Sequence, residues 1–406
     1  MMHRHESSAD AVLGNIDLLT TIFLLLPVKD LLLIKRVCKK WRYLISDPHF
    51  CYRHTLGLCR RQKHNTYYLY SSGFLSQMSN AFVYAKKDNN SLILQKVLII
   101  PVTNYVRERF IPLDVPDDRQ LYYYFIRSCN GLLLWRSSRK EFAWLPLQGC
   151  SFYISNPTTG HCVRIDGFGF DFTASFSIPY LAFDPWKSPH YKVIFFNKVD
   201  GDGEKDELAS TNMKVSVYSS ETDSWSKHDV VPSFPNDIKI LKNDGVYCNG
   251  AIHWYVLPHG NYSIRPSLSV YFDIDRLCFK NLPPLPLTVP YSLIEGAYLV
   301  ECRGNLHLIA NSCIDQELLS YDIFELKEDY SRWIRKYNVN LTTLQNERVR
   351  SLCVVSQPPN EDEEDDSMLA ILVLGYNNAV SYNLKDHSSR LLSSPSSIGG
   401  LYYETL

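Results

Sequence analysis

Asn130-Gly131-Leu132-Leu133-Leu134-Trp135 is a turn pair followed by an apolar run, and the phrase returns twice further along the chain. It reads Asn249-Gly250-Ala251-Ile252-His253-Trp254 the second time and Arg303-Gly304-Asn305-Leu306-His307-Leu308 the third. A second phrase, an aromatic strand ending in a polar turn, alternates with it. It reads Tyr153-Ile154-Ser155-Asn156-Pro157-Thr158-Thr159-Gly160, then Val217-Tyr218-Ser219-Ser220-Glu221-Thr222-Asp223-Ser224-Trp225, then Tyr271-Phe272-Asp273-Ile274-Asp275, Tyr321-Asp322-Ile323 and Tyr382-Asn383-Leu384-Lys385-Asp386.

Measured at Asn156, Ser219, Asp273, Asp322 and Asn383, the second phrase recurs every 50 to 60 residues or so, close to the roughly 50 of a kelch-type propeller blade. A blade is a four-stranded sheet in which the first phrase supplies an inner strand and the second an outer strand with its tight turn. Counting from these anchors gives about six units, at roughly 65–105, 120–166, 178–230, 240–282, 294–340 and 347–395. A pair of β-sandwiches does not account for so long a period. Tyr (27) and Phe (19) are abundant, as strand-rich surfaces prefer.

From Ile16 to about Leu56 the pattern is helical, and the strand and turn chemistry begins beyond about Tyr67. Leu19, Ile22, Phe23 and Leu26 recur at three- and four-residue steps, and Leu31, Ile34, Val37 and Cys38 do so again after Pro27. Proline ends the first helix, because it disfavours helical geometry in the residue before it and has no N–H to donate. A second helix is expected from about Val28 to Val37 with Asp30 near its positive end. A third holds Trp41, Leu44 and Ile45 and stops near Asp47-Pro48. Such a unit buries too little surface to stand alone, and Leu24, Leu25, Leu32 and Leu33 lie beside its main stripe. Either the β domain covers these surplus leucines or helices of another protein do.

In order, Asp17-Leu18-Leu19, Ile22-Phe23, Leu26-Pro27-Val28-Lys29-Asp30-Leu31, Val37-Cys38-Lys39-Lys40-Trp41-Arg42 and Leu44-Ile45-Ser46-Asp47-Pro48-His49-Phe50 resemble the F-box. Followed by kelch-like repeats, the whole is similar to plant F-box proteins with a C-terminal F-box-associated domain. The resemblance implies that the F-box docks on a Skp-type adaptor, which joins cullin and RING subunits, while the propeller holds a target protein for ubiquitination. It assigns adaptor binding to Leu18, Leu19, Ile22, Leu26, Pro27, Leu31, Val37 and Trp41; for Trp41 an internal anchoring role stays open beside direct contact. The chain departs from the family where a Leu-Pro pair normally opens the motif, since Leu13-Gly14-Asn15-Ile16 stands there, and Thr21 and Leu25 replace commonly charged residues.

With 406 residues, the chain expects more than one structural unit. Lys plus Arg (42) nearly equals Asp plus Glu (43), a balance that argues against nucleic acid or an anionic membrane as partner. Eleven cysteines, irregularly spaced and without a Cys-x-x-Cys pair, read as reduced thiols in the cytoplasm and/or nucleus. There is no secretory signal and no apolar run long enough to cross a membrane, so Asn261 and Asn340 read as chance glycosylation triplets.

Catalytic patterns are missing: there is no Gly-x-Ser-x-Gly elbow, phosphate loop or His-Glu-x-x-His helix. Gly167-Phe168-Gly169 reads as a turn. Asp200-Gly201-Asp202-Gly203-Glu204 has Lys205 and Thr211 where a calcium loop needs Gly and Glu, so it reads as a solvated loop. His253 and His307 occupy matching repeat positions and read as packing, and the run from Glu361 to Asp366 reads as a solvated acidic loop within 358–367.

The expected organisation is a disordered N-terminus (1–11), a three-helix F-box (12–56), a linker (57–66) and a β-propeller of about six blades (67–400), mainly β with a small all-α domain in front. The expected function is non-catalytic, substrate recognition for an SCF-type (Skp-cullin-F-box) ligase, with no metal or cofactor. A non-degradative scaffold with weak or no adaptor binding is the alternative, and a propeller enzyme or lectin a distant third.

Overall fold

A computed structural model describes residues 12–59, 73–76, 86–88, 91–93, 96–101, 109–112, 121–139, 151–156, 159–165, 179–198, 213–231, 245–256, 268–285, 294–302, 304–312, 320–340, 349–357, 367–374, 378–391 and 398–402. The N-terminal eleven residues, most of the expected linker, the turn at 167–169, the loop at 200–204, Asn261 and the acidic run at 361–366 lie outside the described residues.

Among the described residues a helical turn at 12–14 is followed by four helices: α1 (Ile16–Phe23), α2 (Val28–Ile34), α3 (Lys39–Ser46) and α4 (Pro48–Cys59). Asn15 starts α1, its Oδ1 accepting from the N–H groups of Asp17 at 2.9 Å and Leu18 at 3.2 Å. Pro27, in extended geometry, begins α2. That helix stops at Ile34, short of the expected Val37, because the Arg36 and Val37 amides tighten onto Leu33 and Ile34 three residues back. Cys38 caps α3 through its sulfur. The largest departure from expectation is α4. Asp47-Pro48 ends α3 and also opens a new helix, with Asp47 Oδ1 accepting from the Phe50 amide at 3.0 Å and proline at the first helical position, where no N–H is needed. Leu19, Phe23, Leu31, Ile45 and Phe50 form the core of this unit, with the Phe23 and Trp41 rings edge to face at 5.2 Å.

The rest is β. The strands are β1 (Gly73–Ser76), β2 (Lys86–Asp88), β3 (Ser91–Ile93), β4 (Lys96–Pro101), β5 (Arg109–Pro112), β6 (Leu121–Cys129), β7 (Leu132–Arg139), β8 (Ser151–Asn156), β9 (His161–Ile165), β10 (Tyr180–Phe183), β11 (Tyr191–Lys198), β12 (Met213–Ser219) and β13 (Ser224–Val230). They continue with β14 (Val246–Cys248), β15 (Ala251–Val256), β16 (Leu268–Asp273), β17 (Cys278–Asn281), β18 (Ile294–Cys302), β19 (Asn305–Ser312), β20 (Ser320–Leu326), β21 (Trp333–Asn340), β22 (Val349–Gln357), β23 (Ser367–Leu374), β24 (Asn378–Asn383), β25 (Ser389–Leu391) and β26 (Ile398–Tyr402).

Among the described residues these make six four-stranded antiparallel sheets and the β2-β3 ribbon. Five sheets are simple meanders, β6 to β9, β10 to β13, β14 to β17, β18 to β21 and β22 to β25. The sixth has the order β26-β1-β4-β5, so the C-terminal strand completes the N-terminal sheet. First strands of successive sheets are neighbours, β26 beside β6, β6 beside β10, β10 beside β14, β14 beside β18 and β18 beside β22. This is propeller order, in which a sheet is covered on its two faces by the sheets before and after it. Inner strands are accordingly apolar without alternation: Leu132 to Trp135 and Tyr180 to Phe183 are all buried, whereas the outer strands β9 and β13 are exposed or half-buried except at Ile165 and Val230.

The two sequence phrases are the two kinds of hairpin. Asn130-Gly131 and Asn249-Gly250 have positive φ at both residues, as a two-residue turn between twisted strands demands. These asparagines also reach sideways. Asn130 Nδ2 donates to the Phe183 carbonyl of the next sheet at 2.8 Å, and Asn249 Nδ2 donates to the Gly304 carbonyl of its next sheet at 2.8 Å. The thiols of Cys129 and Cys248 point at the same two carbonyls.

The outer hairpins each carry one left-handed residue: Gly160, Asp223, Leu277, Tyr330 and His387. This moves one anchor. Asp322 lies inside β20, where its Oδ1 accepts from Arg335 and Asn338, and the turn falls at Lys327 to Arg332 instead.

Between the third and fourth sheets in chain order, Tyr180, Phe196, Trp254, Phe272 and Phe279 form one aromatic core. Trp254 Nε1 donates to Tyr180 Oη at 2.9 Å. Gly245 fits against both rings: a Cβ there would stand 2.5 Å from Trp254 Nε1 and 2.7 Å from a Tyr180 ring carbon. Arg127 crosses from β6, donating to the carbonyls of Pro179 at 3.0 Å and Gly245 at 2.8 Å, with its guanidinium 4.1 Å from the Tyr180 ring centroid.

Candidate functional site

The helical unit has more apolar surface than it can hide. On α1, Leu19 and Phe23 face inward, followed in the next turn by Leu26, while one position earlier Leu18, Ile22 and Leu25 form a second stripe that is exposed. Leu25 is 66% exposed, Leu33 62% and Val37 64%, and Leu13 and Ile16 are exposed at the entrance to α1. The β domain therefore does not cover the surplus leucines at 25 and 33.

The eight sequence-marked positions divide by depth. Leu18, Ile22, Pro27 and Val37 stand at the surface, Leu26 and Trp41 are half-buried against the core, and Leu19 and Leu31 are interior. A partner could touch the first group directly. Leu19 and Leu31 belong to the packing that holds the helices in place.

At the atypical entrance, Lys40 Nζ lies 3.4 Å from the Leu13 carbonyl and 3.3 Å from that of Gly14, and Asn15 supplies the cap. The residues that break the expected Leu-Pro opening thus start the helix by another route.

Sequence reading missed the contribution of α4. Its Phe50 and His54, one turn apart, face the helical core, where the rings stack with centroids 6.2 Å apart. Tyr52, on the opposite side of the helix, donates to the Trp186 carbonyl in the β10-β11 turn at 2.7 Å. The usable signal was Asp47-Pro48-x-Phe50, a helix-start pattern read only as a stop.

The paired histidines lie in sheet interiors. His253 Nε2 is 2.8 Å from Tyr330 Oη and its Nδ1 3.2 Å from the Val246 carbonyl, which fits a neutral ring donating from Nδ1 and accepting at Nε2. Burial pulls its pKa down to about 4. His307 Nε2 lies 3.4 Å from Glu325 Oε2. Its contact, with Lys336 on the other oxygen, holds the Glu325 carboxyl below the usual range. Among the described residues no cluster of three or more His, Cys, Asp or Glu is placed to hold a metal ion, and no helix is long and apolar enough to cross a membrane.

Comparison with known proteins agrees with this geometry. A profile described as the F-box domain matches residues 15–53, and one described as the F-box associated beta propeller domain matches residues 88–294. The sheets β18 to β21 and β22 to β25 continue the same pattern beyond that match. F-box protein At5g07610 of Arabidopsis thaliana is 28% identical over 407 aligned residues, covering 95% of this chain and 87% of that one. The F-box/kelch-repeat protein At3g23880 of the same plant is 24% identical, over 66% of this chain and 64% of its own length. A solved structure, Trypanosoma rangeli sialidase in complex with sialic acid, aligns with a TM-score of 0.38 at 11% identity, over 79% of this chain and 53% of that one, too loosely to bear on function. With the second profile spanning half the chain, over sheets arranged as blades and behind the helices of an F-box, this chain belongs to the plant F-box proteins with an F-box-associated β-propeller domain.

Proposed function

We propose that this chain is the substrate-recognition subunit of an SCF-type ubiquitin ligase. The observation that carries the reading is the second apolar stripe: Leu18, Ile22 and Leu25 outside α1, with Leu33 and Val37 after it, uncovered by the chain's own β domain. Such a stripe is stable in water when helices of a partner cover it, and a Skp-type adaptor is the partner that an F-box domain, the family matched at residues 15–53, generally binds. Residues 12–56 are the docking unit and 67–400 the unit that holds a target protein. Leu18, Ile22, Pro27 and Val37 touch the adaptor, whereas Leu19, Leu26, Leu31 and Trp41 hold the touching residues in register.

The chain carries no chemistry of its own in this reading. Through the adaptor it meets cullin and RING subunits in the cytoplasm and/or nucleus, and it raises the effective concentration of target lysines near the charged ubiquitin-conjugating enzyme. Co-expression of the full chain with a recombinant Skp-type adaptor tests it. The pair is expected to elute as one complex, and replacing Leu18 and Ile22 by Asp should separate it. A wild-type chain that elutes alone, where another F-box protein retains the adaptor, sinks the reading.

A further inference from the structure

The α1-α2 junction is where the exposed stripe turns from one helix to the next, and its backbone is held from outside the F-box match. After α1 the amides of Leu24, Leu25 and Leu26 bond back to Thr20, Ile22 and Phe23, and those of Asp30 and Leu31 both bond to the Pro27 carbonyl. The Leu26 carbonyl is left over at the helix break, an orphan of the kind helix ends leave. His54 takes it: Nε2 lies 2.8 Å from the Leu26 oxygen, and the ring is fully buried. Since a carbonyl only accepts, Nε2 carries the proton, and the buried Nδ1 is then a bare acceptor without a hydrogen-bond partner.

That orphan atom decides between two explanations of the histidine. As core filler, Leu or Phe would occupy the same space beside Phe50 without burying an unpaired nitrogen, which is a cost. A histidine is favoured when its other nitrogen does something an apolar side chain cannot, and here that is to hold the Leu26 carbonyl.

We infer that His54 is a positioning residue for adaptor docking: by holding the Leu26 carbonyl it fixes the break between α1 and α2 and so the directions in which Leu25, Pro27 and Leu33 are presented. It lies one residue beyond the matched F-box, inside the 12–56 docking unit and on α4, whose first turns the match already covers. The inference rests on the adaptor reading above.

Two near-isosteric replacements in the full chain test it. The amide nitrogen of His54→Gln falls where Nε2 stood and still reaches Leu26, whereas that of His54→Asn falls near Nδ1 and does not. Binding of a recombinant Skp-type adaptor should weaken by about tenfold in His54→Asn and stay within about threefold of wild type in His54→Gln. Amide exchange across 24–34 in the free chain should quicken in the Asn variant alone, with 213–230 unchanged in both. Equal behaviour of the two variants, whether both bind or both fail, overturns the inference while wild type binds. A wild-type chain that does not bind the adaptor overturns the docking reading and this inference together.

Discussion

The helical unit and the sheets answer the same demand in opposite ways. In the β domain each sheet finds its covering in the next: Asn130 and Asn249 close on carbonyls across the boundary, Trp254 bonds Tyr180, and the inner strands are buried on both faces. In the helices Leu19 and Phe23 are satisfied internally while Leu18, Ile22 and Leu25, one step round the same helix, are not. A repeating fold supplies its own partners as far as the ring extends. A unit of four short helices cannot, and its surplus is the surface that the docking reading proposed above assigns to a partner.

The contrast breaks most severely at the aromatic core. Trp254→Ala should cost about 3–5 kcal/mol, since it empties a fully buried indole site shared by two sheets. Gly245→Ala should cost about 1–3 kcal/mol by the reverse route, because the new methyl meets Trp254 and Tyr180 at distances no side chain tolerates. Thermal unfolding followed by far-ultraviolet dichroism checks both. Adaptor binding should survive below the lowered midpoint, because the docking stripe lies on other elements. Loss of binding in a folded Gly245→Ala chain would show that the two regions are not separable in this way.

Much of this architecture was legible beforehand, for a physical reason. Asn130-Gly131 and Asn249-Gly250 could be read because a two-residue turn restricts its residues severely, and the apolar runs after them because strands covered on both faces tolerate few polar groups. Asp322 misled, because an aspartate after an aromatic strand looks like a turn starter, whereas it pairs within the sheet with Ala310 on one side and Asn338 on the other. Leu277, Tyr330 and His387 gave no warning of positive φ, since nothing but neighbouring contacts holds such residues there. At the candidate site the stripe was readable from periodicity, but depth was not. Leu18 and Leu19 are the same residue type, and which faces inward depends on where α4 and Trp41 pack.

Acid should separate the two regions next. His253 is buried and neutral, its pKa about 4 against 6.5 unfolded. A depressed histidine stabilises the fold above its unfolded value, and that stability is lost as pH falls below it. Between pH 7.5 and pH 5 the loss should come to about 2 kcal/mol, weakening the boundary where His253 meets Tyr330. Glu325 also sits below its ordinary value, and its contribution begins to fall away only lower, near 4.5. Chemical denaturation at the two pH values, for wild type and His253→Gln, should show a shallower segment above pH 5 in the variant, where His54, also held below the ordinary histidine value by burial, still contributes.

The clasp between sheets is a smaller term. Asn249→Ala loses the bond to the Gly304 carbonyl and places alanine at a φ of 50°, so about 1–2 kcal/mol is expected. Asn249→Gly keeps the backbone at ease and isolates the bond, at about 1 kcal/mol or less, because Cys248 Sγ still points at the same oxygen. The difference between the two variants, read as denaturation midpoints, measures how much of the turn's requirement for asparagine is conformational.

The smallest effect on stability should come with the largest effect on binding. Leu25→Ser and Leu33→Ser remove side chains that are mostly in water, so each should move stability by no more than about 0.5 kcal/mol. If a partner helix covers them, either change should weaken adaptor binding by about tenfold or more, as truncation at the centre of an interface does. Leu31→Ala is the counterpart on the inward face: fully buried, it should cost about 2–5 kcal/mol and lower binding only by unfolding the helices. The two kinds of leucine then separate on a plot of stability against affinity, outward ones along the affinity axis and inward ones along both. Leu25→Ser binding like wild type while Leu31→Ala behaves as described would leave the helical core intact and remove the ground for calling its outer stripe a docking surface.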